Sequence, residues 1–203
     1  MPRKDSVTVL YIYAMMRGAA QGRNQFAGKY AIKLRRAERL AISHLRDNLD
    51  SMIHIRPGDL SDPRIVALLR YHFDRCHAVT PPGSAHVFDV SRLKSPDVDF
   101  FAAWEGDALL GVGAVKYFPG AFGEVKSMHT SEAARRRGVG GAILRHIIEA
   151  ARAKGVNRLN LETGSFGYFE PAVALYKSHG FAECPPFGDY RSDPNSVFLT
   201  REI

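Results

Sequence analysis

The chain has 203 residues, 45% hydrophobic and 24% charged, proportions that match an ordinary globular protein of one domain with an appendage. A formal net charge of +7 invites a nucleic-acid or acidic-surface partner. However, ten basic and four acidic residues fall within 1–51, which leaves eighteen and seventeen in a nearly neutral body over 52–203. Two cysteines, Cys76 and Cys184, exclude a disulfide framework and a zinc site, and no apolar stretch reaches the roughly 18–20 residues that span a bilayer.

Residues 1–51 alternate short apolar runs with Arg-rich polar stretches. Val7 to Met16 imitates the apolar region of a signal peptide, but Thr8, Tyr11 and Tyr13 interrupt it and no clear A-x-A site follows. Residues 30–49 fit a basic amphipathic helix with Ile32, Leu40, Leu45 and Leu49 on its apolar side. The expectation is a basic N-terminal extension over 1–51, either disordered or additional translated sequence ahead of a start at Met52, and one domain over 52–203.

The domain is expected to open with a strand over Met52 to Arg56 and a turn at Pro57-Gly58. A helix follows from Pro63 to about His77, with Asp62 as N-cap and Ile65, Leu68, Leu69, His72 and Phe73 at helical spacing. After the turn-rich Pro81 to Ser84 and a short helix around Val90 to Lys94, two strands over Phe100–Glu105 and Leu109–Tyr117 flank Gly106-Asp107, a hairpin signal. A fourth strand over Gly123 to His129 leads into a helix running to Lys154, stopped by Gly155. A strand over Arg158 to Thr163, a helix over Pro171 to Ser178 and two strands over Phe181–Cys184 and Ser196–Glu202 complete an α+β plan.

The segment Arg135-Arg-Arg-Gly138-Val-Gly140 opens the central helix. Glycines there let the backbone approach a ligand, and the free N–H groups attract phosphate oxygens, so a pyrophosphate site is expected. A Walker loop is excluded because no Gly-Lys-Ser/Thr follows the glycines. A dinucleotide turn fits poorly although Glu162 stands where a ribose-binding acid would lie: the third glycine position is Ile143, and at least five residues separate the strand from Gly138.

Arg135-x-x-Gly138-x-Gly140 resembles the acetyl-CoA loop of the GCN5-related N-acetyltransferases, the GNAT family. Ala172-x-x-Leu175-Tyr176-x-x-x-Gly180-Phe181 resembles the family's late signature, Gly111-Val-Gly-Ala114 its third strand, and Glu124, four residues before Met128, the spacing of a glutamate base. The resemblance covers essentially Met52 to Ile203. It extends to a small bacterial branch labelled indole-3-acetic acid acetyltransferase-like, through Pro81-Pro82-x-Ser84-x-His86, Glu124-x-Lys126-Ser127-Met128, Leu161-Glu-Thr-Gly164, Pro186-Phe187-x-Asp189-Tyr190 and Asp193-Pro-Asn-Ser196. One departure is Phe169, where many members carry an asparagine that meets the pantetheine arm.

The resemblance implies a three-layer fold whose mixed, mostly antiparallel sheet splays between its fourth and fifth strands. It implies acetyl transfer from acetyl-CoA, as co-substrate and without a metal, to a primary amine of a small molecule by direct attack in a ternary complex. Met128, His129 and Thr130 would pair with the pantetheine arm, the Met128 N–H polarising the thioester. Arg135, Arg136, Arg137, Gly138, Val139, Gly140 and Gly141 would surround the pyrophosphate, chiefly through backbone amides.

Tyr176 is the expected general acid for the CoA thiolate. Glu124 is the expected base, directly or through a water, the alternative being a carboxylate paired with Lys126 or a loop amide. Regular alternation would place His129 on the opposite side of the strand from Glu124 and Met128 unless a bulge intervenes. His86, Asp189 and Tyr190 are expected around the acceptor. The protein is expected in the bacterial cytoplasm, with no membrane or nucleic-acid partner and with a homodimer left open. The non-enzymatic alternative is an acetyl-CoA-sensing regulator that binds nucleic acid through its basic arm.

Overall fold

The computed structural model describes residues 52–81 and 90–203. The extension over 1–51, its expected helix and His86 lie outside the described residues.

The elements follow the expected order with small boundary differences. They are β1 (His54–Pro57), α1 (Pro63–Val79), β2 (Val98–Glu105), β3 (Ala108–Phe118), β4 (Phe122–Thr130), α2 (Val139–Ala153), β5 (Arg158–Gly164), α3 (Glu170–Ser178), β6 (Ala182–Glu183) and β7 (Ser196–Glu202). Short 3-10 turns occupy Arg92–Lys94 and Glu132–Ala134. The Asp62 side chain caps α1 by accepting from the Arg64 N–H at 2.9 Å, and Pro63 supplies the first helical residue. The helix runs two residues past the expected His77.

The strands form one seven-stranded sheet in the order β1-β2-β3-β4-β5-β7-β6. Every neighbouring pair is antiparallel except β4 and β5, which run parallel. Alternation divides the inward side chains between the two faces. One core joins the sheet to α2 and α3, through Phe101, Val115, Val125, Leu159, Leu161 and Leu199 against Ile143, Leu144, Ile147 and Tyr176. A second joins the other face to α1, through Phe100, Ala102, Trp104, Val112 and Ala114 against Ile65 and Leu69. Helix–sheet–helix layering is therefore the fold, as the sequence implied.

Two irregularities of β4 create the site. The β4–β5 pairing consists of Phe122 with Arg158, Gly123 with Leu159 and Glu124 with Asn160, and stops there. Beyond Glu124 the strands diverge, while β5 continues to pair with β7 as far as Gly164 opposite Ser196. The β3–β4 register also shifts: Val112 opposes His129 but Ala114 opposes Lys126, so Gly113 faces two residues, Ser127 and Met128. This is a bulge. Ser127 carries it with φ of 51°, and a Cβ on Gly113 would stand 2.7 Å from Ile143 Cγ2 and 2.8 Å from Met128 Sδ.

Candidate active site

The diverging strands open a cleft of about 1150 Å³ whose walls come from α1, β4, the start of α2, β5 and α3. Its inner edge on β4 has left the β5 ladder, so the backbone from Ser127 to Thr130 borders the cleft where β5 would otherwise continue the sheet. Such an edge is a template for an extended ligand that adds as a strand.

At one end the cleft meets the N-terminus of α2. Gly138 is the N-cap with φ of 81°, it supplies no side-chain cap, and the first helical bond is Ala142 N–H to Gly138 O. The amides of Val139, Gly140 and Gly141 are thus left for a ligand, at the positive end of the helix dipole. Arg136, also left-handed at φ of 61°, turns the chain into this position. Arg135, Arg136, Gly138, Val139, Gly140 and Gly141 all line the cleft. Arg137 does not: its guanidinium pairs with Glu105 of β2 at 2.5 Å. The arrangement suits a pyrophosphate followed by an extended amide arm, two parts that adjoin in CoA.

Tyr176 lines the cleft from α3. It is packed among the residues of the α2–α3 core, with its ring 5.8 Å from that of Phe181. Burial, and then the charge of Glu162, push its phenol well above the ordinary tyrosine value. A phenol so held stays protonated, and it stands in the cleft wall as the hydroxyl donor on α3. Phe169, at the N-cap of α3, fills its place with a ring set edge-on to Phe166 and Tyr168.

The bulge rearranges the expected faces of β4. Val125 and Met128 belong to the α2 face. Lys126 and His129 lie opposite Ala114 and Val112, which pack with α1, so they and Glu124 share the α1 face. His129 therefore stands on the same side as Glu124, and Met128 on the other, the reverse of the regular-strand expectation. The His129 ring lies 4.8 Å from that of His72 and 5.6 Å from that of Tyr71. Desolvation holds both histidines neutral, with His129 lowered to about 4 and His72 to about 3.

Glu124 is buried, and it is absent from the cleft wall. Its Oε1 accepts from Lys126 Nζ at 2.9 Å and from the Tyr190 hydroxyl at 2.7 Å, while Lys126 Nζ also donates to the Tyr190 oxygen at 2.6 Å. Of the two roles open at the sequence level, the geometry is that of the paired carboxylate. Tyr190 reaches the sheet but is committed to this cluster, and burial with the Glu124 charge raises its phenol. Asp189 is exposed and off the cleft wall.

Three cleft residues carried no acceptor-side expectation from the sequence. His72 and Cys76 come from α1, and Glu162 from β5. The Cys76 thiol is raised to about 11, mainly by burial and next by the Glu162 charge, so it is no nucleophile at neutral pH. Helical spacing on α1 signalled only that His72 faces inward.

Comparison with known proteins agrees with this geometry. The model of the acetyltransferase (GNAT) family matches residues 59–181. The chain is 46% identical over 151 residues to the uncharacterized N-acetyltransferase YsnE of Bacillus subtilis, covering 74% of this chain and 100% of that protein. It is 38% identical over 124 residues to the IAA acetyltransferase of Azospirillum brasilense, covering 61% of this chain and 80% of that one. A solved Bacillus subtilis acetyltransferase in complex with CoA shares the fold, with a TM-score of 0.57, 18% identity, and 75% and 99% of the two chains covered. From its motifs, its splayed sheet and its relatives, the chain belongs to the acetyltransferase (GNAT) family and is an acetyl-CoA-dependent N-acetyltransferase.

Proposed function

We propose that the protein transfers the acetyl group of acetyl-CoA to a primary amine of a small-molecule acceptor by direct attack within a ternary complex. The observation that carries this reading is the edge of β4 released from β5 and leading to the open N-terminus of α2, with Tyr176 in the wall between them. The pyrophosphate is held by the Val139, Gly140 and Gly141 amides, with Arg135 and Arg136 beside them. The pantetheine amides pair with Met128, His129 and Thr130, and a strand N–H at the bulge draws charge from the thioester carbonyl. Tyr176 protonates the departing sulfur. No covalent enzyme intermediate is needed, in keeping with the unreactive Cys76.

The acceptor approaches from the α1 face, opposite the α2 face that holds CoA. Residues 52–203 constitute the catalytic unit; the 151-residue match to YsnE, which spans the whole of that protein, supports this assignment. The test is thermal melting with saturating ligands. At a hundred times its dissociation constant, acetyl-CoA or CoA stabilises the fold by about 2.7 kcal/mol, while NAD and ATP do not. No shift with acetyl-CoA would overturn the reading. A panel of primary amines followed by CoA-thiol release then identifies the acceptor.

A further inference from the structure

The acetyltransferase reading leaves a proton to be removed from the incoming amine, and Glu124 is poorly placed to take it. Its side chain is 5% exposed, tied to Lys126 and Tyr190, and absent from the cleft wall. Among the described residues, two carboxylates line the cleft, Glu132 and Glu162. Glu132 stands at the rim, with its side chain 65% exposed, and accepts from Tyr71 at 2.7 Å. Glu162 stands inside.

Its position follows from the strand pattern. Leu159 and Leu161 of β5 face α2, so Glu162 faces the α1 side, the side assigned to the acceptor under the acetyl-CoA reading. It lies one pair of residues past the point where β5 leaves β4. Ser196 Oγ donates to its Oε1 at 2.6 Å, which fixes the side chain. Its charge is felt by Cys76 of α1, Tyr176 of α3 and Tyr190 of the segment before β7. Glu162 therefore sits where the acceptor face and the cleft containing Tyr176 meet. On the same wall the His72 and His129 rings pack against each other at 4.8 Å, and Lys126 Nζ is engaged by Glu124 and the Tyr190 hydroxyl.

We propose that Glu162, rather than Glu124, is the carboxylate that receives the acceptor as an ammonium ion and takes its proton. The inference rests on the acetyl-CoA reading and narrows the acceptor to a cationic primary amine. Glu162 accepts one proton from R–NH3+ and passes it to solvent. The nitrogen lone pair then forms the N–C bond to the thioester carbonyl carbon. The C–S bond breaks as Tyr176 gives its proton to sulfur, and the second proton leaving nitrogen restores the phenol. The products are the amide, CoA thiol and one proton in solution.

Two CoA thioethers test this without knowledge of the natural acceptor: one carries a 3-aminopropyl group on sulfur, the other an isosteric butyl group. The first places an ammonium just beyond the sulfur, on the acceptor side. Calorimetry on the full chain is expected to show the ammonium compound binding roughly tenfold tighter than the butyl compound. Glu162→Gln should abolish that preference while CoA itself still binds, and Glu162→Asp should restore part of it. Tyr190→Phe, which removes the hydroxyl bonded to Glu124 and Lys126 and leaves the Glu162 carboxylate in place, should keep the preference. Equal binding of the two compounds by the unmodified protein, or a preference that survives Glu162→Gln, would overturn the assignment. Failure of CoA and of both thioethers to bind the unmodified protein would instead bring down the acetyl-CoA reading beneath it.

Discussion

The hydroxyl of Tyr190 lies 2.7 Å from Oε1 of Glu124, a contact made across 66 residues of sequence. It ties the segment before β7 to the last paired residue of β4, next to the opening of the cleft. The same phenol oxygen accepts from Lys126, and the Tyr190 ring packs against Phe187 and Phe198 at 5.1 and 5.5 Å.

Tyr190→Phe keeps those ring contacts and deletes only the hydroxyl. A buried hydrogen bond to a charged group contributes about 1.5–3 kcal/mol, and a domain of this size loses roughly 2–4 °C of melting temperature per kcal/mol. Melting should therefore fall by several degrees, while CoA affinity, proposed to rest on the N-terminus of α2, stays constant. An unchanged melting temperature would mean that the contact contributes nothing.

The Glu124–Lys126 pair makes a second prediction. Both side chains are nearly buried, at 5% and 6% exposure, so removing one partner strands the other charge at a cost of about 3–5 kcal/mol. Glu124→Gln and Lys126→Met should each be strongly destabilising, and the double variant should be less so than the sum of the two. Denaturant unfolding of all four proteins gives the coupling directly. Simple additivity would show that the two charges do not need each other. Because both single variants disturb the whole cluster, turnover lost in Glu124→Gln is expected to accompany lost stability.

Much of the fold was legible because its signals are local. Gly106-Asp107 marked the β2–β3 hairpin, and the spacing of Val139, Ile143, Leu144, Ile147, Ile148 and Ala151 marked the buried face of α2. Arg135 to Gly141 could be placed at a helix start for the same reason. The errors came where geometry depends on partners distant in sequence. Ser127 holds the β4 bulge with a positive φ, yet no glycine or asparagine stands there to announce it, so regular alternation placed His129 and Met128 on the wrong faces. The pairing of Arg137 with Glu105, 32 residues away, has no local signature either. Glu162 was visible as an ill-fitting ribose ligand and within Leu161-Glu-Thr-Gly164, with no catalytic role attached. Its place in the cleft that Tyr176 also lines depends on where β5 leaves β4, which no nearby residue encodes.

The two histidines set an acid limit on stability. His129 and His72 titrate near 4 and 3 in the folded chain because burial disfavours their charged forms, whereas an unfolded histidine titrates near 6.5. Between those values the unfolded chain binds protons that the folded chain refuses, so stability rises with pH there and is lost as pH falls from about 6.5 towards 4. Chemical unfolding over this range should show an uptake approaching about two protons. His129→Phe keeps the packing against Tyr71 and should flatten the slope by about one proton; an undiminished slope would place the acid sensitivity elsewhere.

Tyr176→Phe isolates the proton that sulfur needs. Phenylalanine preserves the ring contact with Phe181 and the packing of α3 on the sheet, so melting temperature and acetyl-CoA affinity should be nearly unchanged. A general acid contributes about a hundredfold or more to rate, and kcat should fall by at least that factor with whichever amine the panel identifies. Because burial and the Glu162 charge raise the phenol, the unmodified enzyme should keep this acid protonated past about pH 10, with no loss of kcat from its ionisation below that point. A kcat that survives the substitution would reduce Tyr176 to a packing residue and require another donor along the cleft.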